Sequence, residues 1–570
     1  MWVHGLAADD REGIYLFGHT ASSLGRNNMG KTDAFFAKYN PFWSIWLMVL
    51  SIIFIKRKIL KCPRRFGIIC VSMKTRIKKL LMTIGFAFYL GSSAPFVCLV
   101  WGTIPSTETS VSFGQDQPEI KVDLAEQIDG LLRESLEKKV RFSIHIVEAD
   151  CGRTLYDHDA RELMIPASNM KIITSAAALT YLGPDHVYKT KVGLCGDTLV
   201  VIGSGDPLLG DERIDAQYGR EPGWIFKDIS HALKCENIEK IDSIIVDTSI
   251  FDNERVHPSW PAKDLNKWYA CEVSGLNYND NCVKISAKNV DGKVAVFVDP
   301  QTSFIALVNN VVPISRGEGA VGTYRNRDPN KLIVFGRCKD KVGPFDVAIE
   351  RPAAYFGFLL FEHLLATGIK AQGQLVEKAF DDSNEFNPLI EFSTSIADCL
   401  ARCNKNSLGL VAEALLKTIA AHNHPDGKNG SWDSGRELIA AFLLELGLDK
   451  SQFYIDDGSG LSRQNELTAY TITTVLSSLY KSEHWPLYRD SLAVGGSDGT
   501  IARYFKEEAY KGKIRGKTGY ISGVRSFSGI CTTAQGDTLF SILANNTNGQ
   551  TRSVINQIPK AIIDHAAAAP

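Results

Sequence analysis

In PASNMKIITSAAAL, residues 166–179, a serine and a lysine three residues apart open an apolar run. On a helix, positions i and i+3 share a face, so the amine of Lys171 would come within reach of the hydroxyl of Ser168. A serine is a weak nucleophile at neutral pH and needs a base, and a lysine serves as one once its pKa falls. The same pair also reads as an ordinary helix start, with Ser168 as the cap and Lys171 on a solvated face. S-x-x-K arises by chance in a chain of this length, so other segments must decide. Lys517-Thr518-Gly519 ends one strand pattern just before another, where a second cation would depress the pKa of Lys171. A tight turn with glycine at positive φ is the alternative. Ser407, in KNSLGLVAEALLK, stands where a helical pattern begins, and a cap is again the alternative.

The elements that would position these groups follow from periodicity. Leu124, Ile128, Leu131, Leu132 and Leu136 recur at helical spacing, and RFSIHIVEADCGRTLYDHDA then alternates with Phe142, Ile144 and Ile146 on one face. A turn at Asp150–Gly152 makes this a hairpin, and the Ser168 helix follows. From about Cys195 to Pro344, short runs such as TLVVIGSG, KVAVFVD and KLIVFGR are broken by Gly, Asn and Asp, the pattern of a β-rich insert. Helical spacing returns at AAYFGFLLFEHLLATG and SLGLVAEALLKTIAAH. Three strands (KIRGKTG, VRSFSGICTT and DTLFSILANN) and a helix near Val554–Ala566 close the chain. Strands at both ends completing one sheet among helices predict an α/β sandwich interrupted by an insertion.

Composition excludes rather than identifies. The chain has 570 residues, is 45% hydrophobic and 22% charged, and carries a net charge of −1, which gives no reason to expect nucleic acid as a partner. Twelve cysteines are too sparse for a disulfide scaffold. Cys399 and Cys403 lie one helical turn apart without the second pair a metal site would use. His422–Gly427 (HNHPDG) reads as a solvated loop, and Asp206 and Asp498, both beside glycines, as turn residues. Before residue 110 the chain changes character. Phe42–Ile55 is an apolar run short for a membrane span, and Met73–Ala94 has the cationic start, apolar core and small residues of a secretory leader. We therefore expect an upstream extension over 1–72, a signal peptide or membrane anchor over 73–110, and an exported, periplasmic protein.

The ordered set S-x-x-K, serine at a helix start and K-T-G on a strand is the signature of penicillin-binding proteins and β-lactamases. From about residue 120 to 565 the chain resembles the D-alanyl-D-alanine carboxypeptidase/endopeptidases, the low-molecular-mass class C penicillin-binding proteins. GSGDPLL (Gly203–Leu209), VDTSIFDNERVHPSW (Val246–Trp260) and WYACEVSGLNYNDNCV (Trp268–Val283) look like the insert of that family. DDGSGLSR (Asp456–Arg463), LAVGGSDGTIARYF (Leu492–Phe505) and GKTGYISGVRSFSG (Gly516–Gly529) look like its C-terminal half. The long gap between Ser168 and Ser407 suits class C and argues against an ordinary β-lactamase.

The resemblance implies a transpeptidase/β-lactamase-like α/β/α catalytic domain over 115–195 and 345–567, with a β-rich insertion over 196–344. It implies a serine D-Ala-D-Ala carboxypeptidase acting on peptidoglycan stem peptides, inhibited covalently by β-lactams, through an ester on Ser168. Lys171 would be the base and Ser407 the relay to the leaving amine. Lys517 and Thr518 would bind the terminal carboxylate of the substrate, and the backbone after Gly519, at Tyr520, would complete an oxyanion site with the N–H of Ser168. The scheme needs no metal and no organic cofactor, and no carboxylate; Asp457 and Ser459 are read as structural lining. One departure stands out: the second motif of the family is S-x-N, and here it reads Ser407-Leu408-Gly409. Losing that amide weakens the enzyme by about 1–3 kcal/mol. It leaves two other readings open, a peptidoglycan-binding relative without turnover and a β-lactamase-like hydrolase.

Overall fold

The structure, a computed structural model, describes residues 123–568 apart from 135–138, 326–327, 372–373 and 382, together with three N-terminal strands. Those strands, Trp2–Ala8, Ile14–Thr20 and Asp33–Tyr39, pair antiparallel within a first unit that ends at Glu119. They stand in the segment expected to be an extension. The apolar run Phe42–Ile55 and the leader-like segment 73–110 lie outside the described residues.

The second unit is built on a six-stranded antiparallel sheet. Its order is Ala493–Val494, Ile514–Ile521, Val524–Thr533, Gly536–Asn545, Arg141–Glu148 and Thr154–His158. The predicted hairpin and the three returning strands thus share one sheet, with the KTG strand (Ile514–Ile521) near one border. Arg141–Glu148 was expected to bury a single face, yet Ser143 and His145 are buried alongside Phe142, Ile144 and Ile146. Helices cover both sides of the sheet, so alternation in the sequence here does not mark a wet face. On one side lie Leu124–Glu134 and Thr551–Ala568, which contribute Leu124, Ile128, Ile555 and Ile558 to the core. On the other lie the nucleophile helix Met170–Leu182 and Ala469–Tyr480, with Gly409–His422 packed behind them.

Two of these helices are apolar nearly all round. Every residue from Met170 to Leu179, and every residue from Gly409 to Ala421, is buried. Such helices sit in a core rather than on it. A charged residue on either must then find compensation or have a purpose, because burying an unpaired charge is costly. Three such residues occur there: Lys171, Glu413 and Lys417.

The β-rich chain expected over 196–344 joins a sheet with segments that flank it. This five-stranded sheet runs Leu375–Glu377, Ser243–Asp247, Thr198–Ile202, Val187–Cys195 and Asn387–Ser395, so it takes in chain on both sides of those bounds. The helix Pro352–Ala366, read as part of the catalytic half, packs on this sheet through Ala353, Phe356 and Leu360. Helical periodicity shows that a segment is buried, not which sheet buries it. Two three-stranded sheets, one around Cys282–Val290 and one around Lys331–Cys338, complete the insert.

Candidate active site

The turn that carries Ser168 is held from three directions. Ala167 takes a left-handed φ of 47°, and Ala167–Asn169 forms a 3₁₀ turn ahead of the nucleophile helix. Ser168 does not cap that helix, and neither does the side chain of Asn169. Asn169, fully buried, instead reaches the neighbouring strand: its amide donates to Ser528 Oγ at 2.6 Å, and its Oδ1 lies 2.7 Å from Ser526 Oγ. Ser526 Oγ is also 2.6 Å from the carbonyl of Pro166. The nucleophile is thereby fixed against the sheet by side chains rather than by helix capping.

This fixing explains the glycine of KTG. A Cβ on Gly519 would stand 2.1 Å from Ser526 Oγ and 2.9 Å from the backbone nitrogen of Ser168. The close approach of the turn, not a positive φ, excludes any larger residue. The short strand Ala493–Val494 covers the KTG strand only at Arg515 and Gly516. Beyond that point the nucleophile turn faces the strand, and Tyr520 projects to solvent.

The expected lysines and hydroxyls converge here. Lys171 Nζ lies 3.5 Å from Ser168 Oγ and donates to the carbonyl of Ser459 at 2.7 Å. Lys517 Nζ donates to Ser407 Oγ at 2.8 Å and to the carbonyl of Thr518 at 2.6 Å. The hydroxyl of Thr518 donates to that of Thr500 at 2.9 Å. Both lysines are buried while Ser168 and Ser407 remain partly open. Burial pushes the amine of Lys171 below the usual lysine range, against the opposing pull of Cys403, Glu413 and Asp457. Burial, and then the charge of Lys171, pushes Lys517 well below it. An amine whose pKa is lowered this way is nearer the neutral form that a general base requires.

Ser407 is not the helix cap that the sequence pattern allows. It sits in the turn between Ile396–Lys405 and Gly409–His422 with φ of 62°, and Leu408 takes the cap position. At Gly409, a Cβ would stand 3.0 Å from the carbonyl of Tyr269 and 3.9 Å from Ser459 Cβ. The backbone of the insert thus crowds the place of the missing amide. Neither nearby asparagine replaces it. Asn404 donates to Ser491 Oγ at 2.9 Å and to Ser175 Oγ at 3.2 Å, and Asn406 accepts from Arg402 at 2.9 Å.

The acids set aside on sequence grounds are accounted for elsewhere. Asp206 accepts from Leu208 N and from Thr394 Oγ1, and burial raises its pKa to about 6. Asp498 caps Val494 N and pairs with Lys405. Asp457 gathers Gly460 N, Ser462 N, the amide of Asn465 and the indole of Trp260. Sequence reasoning missed Asn169, Ser526, Ser528, Thr500 and Glu413. Of these only Glu413 had a visible signal, as a lone acid inside the apolar run LVAEALL.

With this geometry in view, relatives are informative. The chain is 27% identical over 456 residues to the D-alanyl-D-alanine carboxypeptidase of Actinomadura sp. strain R39, covering 75% of this chain and 82% of that protein. It is 23% identical to D-alanyl-D-alanine carboxypeptidase DacB of Haemophilus influenzae, covering 68% of this chain and 81% of the relative. The crystal structure of penicillin binding protein 4 (dacB) from H. influenzae superposes with a TM-score of 0.66 at 22% identity, over 77% of this chain and 98% of that one. The same protein complexed with a β-lactam gives 0.62 at 21% identity, with the same coverage. These likenesses establish the α/β penicillin-binding fold. Residues 124–567 match the family model "D-Ala-D-Ala carboxypeptidase 3 (S13) family", and the chain belongs to that family, the serine-type D-alanyl-D-alanine carboxypeptidases of low-molecular-mass penicillin-binding class C.

Proposed function

We propose that Ser168 is the nucleophile and Lys171 its general base in releasing D-alanine from peptidoglycan stem peptides that end in D-alanyl-D-alanine. The observation that carries this is the convergence of Lys171 on Ser168 and of Lys517 on Ser407 in one partly open cleft. Neutral Lys171 takes the hydroxyl proton as Ser168 Oγ bonds to the carbonyl carbon of the penultimate residue. The N–H groups of Ser168 and Tyr520 receive the developing oxyanion. Collapse breaks the C–N bond, and Ser407 relays to the departing amine the proton that Lys171 took, which returns Lys171 to its neutral form. D-Alanine leaves and an ester remains on Ser168. Water, deprotonated by Lys171, then cleaves the ester and restores the hydroxyl.

Lys517 and Thr518 hold the terminal carboxylate, and the uncovered edge of the KTG strand pairs with the peptide. A β-lactam enters as a covalent inhibitor, because its leaving amine stays tethered to the acyl group. The β-lactam complex of the H. influenzae relative supports this. Cross-links ending in the same D-amino-acid bond are substrates of the same site. The substrate lies outside the cytoplasm, so the enzyme is exported to the periplasm, with segment 73–110 as its cleaved leader or retained membrane anchor.

Labelling with a fluorescent penicillin, followed by peptide mass spectrometry, tests the assignment. The expected adduct sits on Ser168 and disappears in Ser168→Ala. Equal labelling of the two proteins would overturn it.

A further inference from the structure

Glu413 lies one helical turn beyond Gly409 on a helix buried from Gly409 to Ala421, and its side chain is inaccessible to solvent. Its carboxylate forks onto a single turn: Oε1 accepts from Ser459 N at 2.8 Å and Oε2 from Gly458 N at 2.9 Å. Oε2 also accepts from the indole of Trp432 at 2.8 Å. Three donors and no opposing acceptor are what an ionised carboxylate requires. The turn it grips is clamped from the other side as well. The hydroxyl of Thr174, on the nucleophile helix, donates to the carbonyl of Gly458 at 2.8 Å. A Cβ on Gly458 would stand 2.8 Å from the carbonyl of Ala412. The next carbonyl along, that of Ser459, is the one that receives Lys171 Nζ.

We propose that Glu413 is a positioning residue for the reaction: it fixes the Gly458–Ser459 turn so that the Ser459 carbonyl keeps Lys171 aimed at Ser168, and its negative charge acts on the amine of that lysine. This rests on the assignment of Ser168 as nucleophile and Lys171 as base. Several other groups face the pair. Lys517 comes from the KTG strand, Cys403 from the helix Ile396–Lys405 and Asp457 from the turn itself. Lys417 stands one turn further along the helix of Glu413, and His257 comes from the loop leaving the insert. Among these, Glu413 and Asp457 both charge the surroundings of Lys171 and hold the turn, Glu413 through Gly458 N and Ser459 N and Asp457 through Gly460 N, but only Glu413 reaches it from the buried helix. Removing the charge favours the neutral amine, so the acid limb of activity moves to lower pH. Removing the fork loosens the aim, so the rate falls as well.

The test is the second-order rate of acylation by a fluorescent penicillin as a function of pH, on the full chain, for wild type, Glu413→Gln and Glu413→Asp. In Glu413→Gln the midpoint of the acid limb is expected to fall by about half to one pH unit, and the maximal rate by about tenfold. Glu413→Asp keeps the charge and should keep the wild-type midpoint with a smaller loss of rate. A Glu413→Gln profile with an unmoved midpoint overturns the proposal, whatever its height, because a merely structural acid would change only the height. Should Glu413→Gln fail to fold, Glu413→Asp decides: a displaced midpoint or an undiminished rate overturns it. Wild-type protein that takes no label on Ser168 defeats instead the assignment on which the proposal rests, and is told apart by that control.

Discussion

Lysine is buried at two places in this molecule, and what meets the ammonium differs between them. At Lys417, on the helix Gly409–His422, the ammonium meets the carboxylate of Asp252 and the carbonyl of Glu254, each at 2.6 Å, and lies 3.8 Å from the centre of the Trp432 ring. At the cleft, Lys171 and Lys517 are equally enclosed, but their hydrogen bonds end on neutral oxygens, and the charge of Lys171 adds to burial in lowering the pKa of Lys517. In the first arrangement burial also lowers the pKa of the lysine, but the carboxylate of Asp252 opposes it and ties the cation into the scaffold. The second favours loss of a proton, which is what a base needs. Burial alone marks neither role; what meets the nitrogen does.

Substitutions can break that contrast. Ser168→Ala should abolish both penicillin labelling and D-alanine release, a loss of about four decades or more in kcat. Lys171→Ala should cost about three decades, within the span of general-base catalysis, while leaving the melting temperature near wild type. In the wild type, the rate of acylation should rise with pH through a midpoint below that of a free lysine, about 10.4, because activity is lost as the buried amine takes up a proton. A midpoint at or above the free value would show that Lys171 is not the base.

Lys417→Met should invert the pattern. Stability should fall by about 2–4 kcal/mol in denaturant titration, since the anion at Asp252 loses its partner, while acylation per folded molecule stays within about twofold. The smallest expected effect is at Gly409→Asn. The carbonyl of Tyr269 leaves no room for an added side chain without a shift, so D-alanine release should drop by up to about tenfold rather than improve. A large gain there would instead favour the weakened, peptidoglycan-binding reading.

What could be read from the sequence was what periodicity and residue type encode. The hairpin at Arg141–His158, the three returning strands and the buried helices at Met170 and Gly409 all emerge from spacing. So do Ser168, Lys171, Ser407 and the KTG strand, because an ordered set of reactive types is rarer than any one of them. The anchors were not visible. Asn169 looks like any asparagine near a helix start, and only the fold brings it against Ser526 and Ser528. The carbonyl of Ser459 has no sequence signature at all, since every residue carries one. The pairing within the five-stranded sheet was hidden for a related reason: Val187–Cys195 and Asn387–Ser395 alternate like any strand, and nothing local states that they pair with each other.

The grip on Lys417 also says something about how the molecule could be shortened. Asp252 and Glu254 belong to the stretch leaving the five-stranded insert, which is stitched to the catalytic half where Asn429 and Gly430 bond to Ser249 and Ile250. A trimmed enzyme lacking that layer would leave an orphaned ammonium in the middle of the helix that begins beside Ser407. The outer layer is therefore no detachable ornament but a structural counter-ion for the machinery beneath it, and a minimal active version of this protein would have to neutralise position 417 before the insert could be cut away.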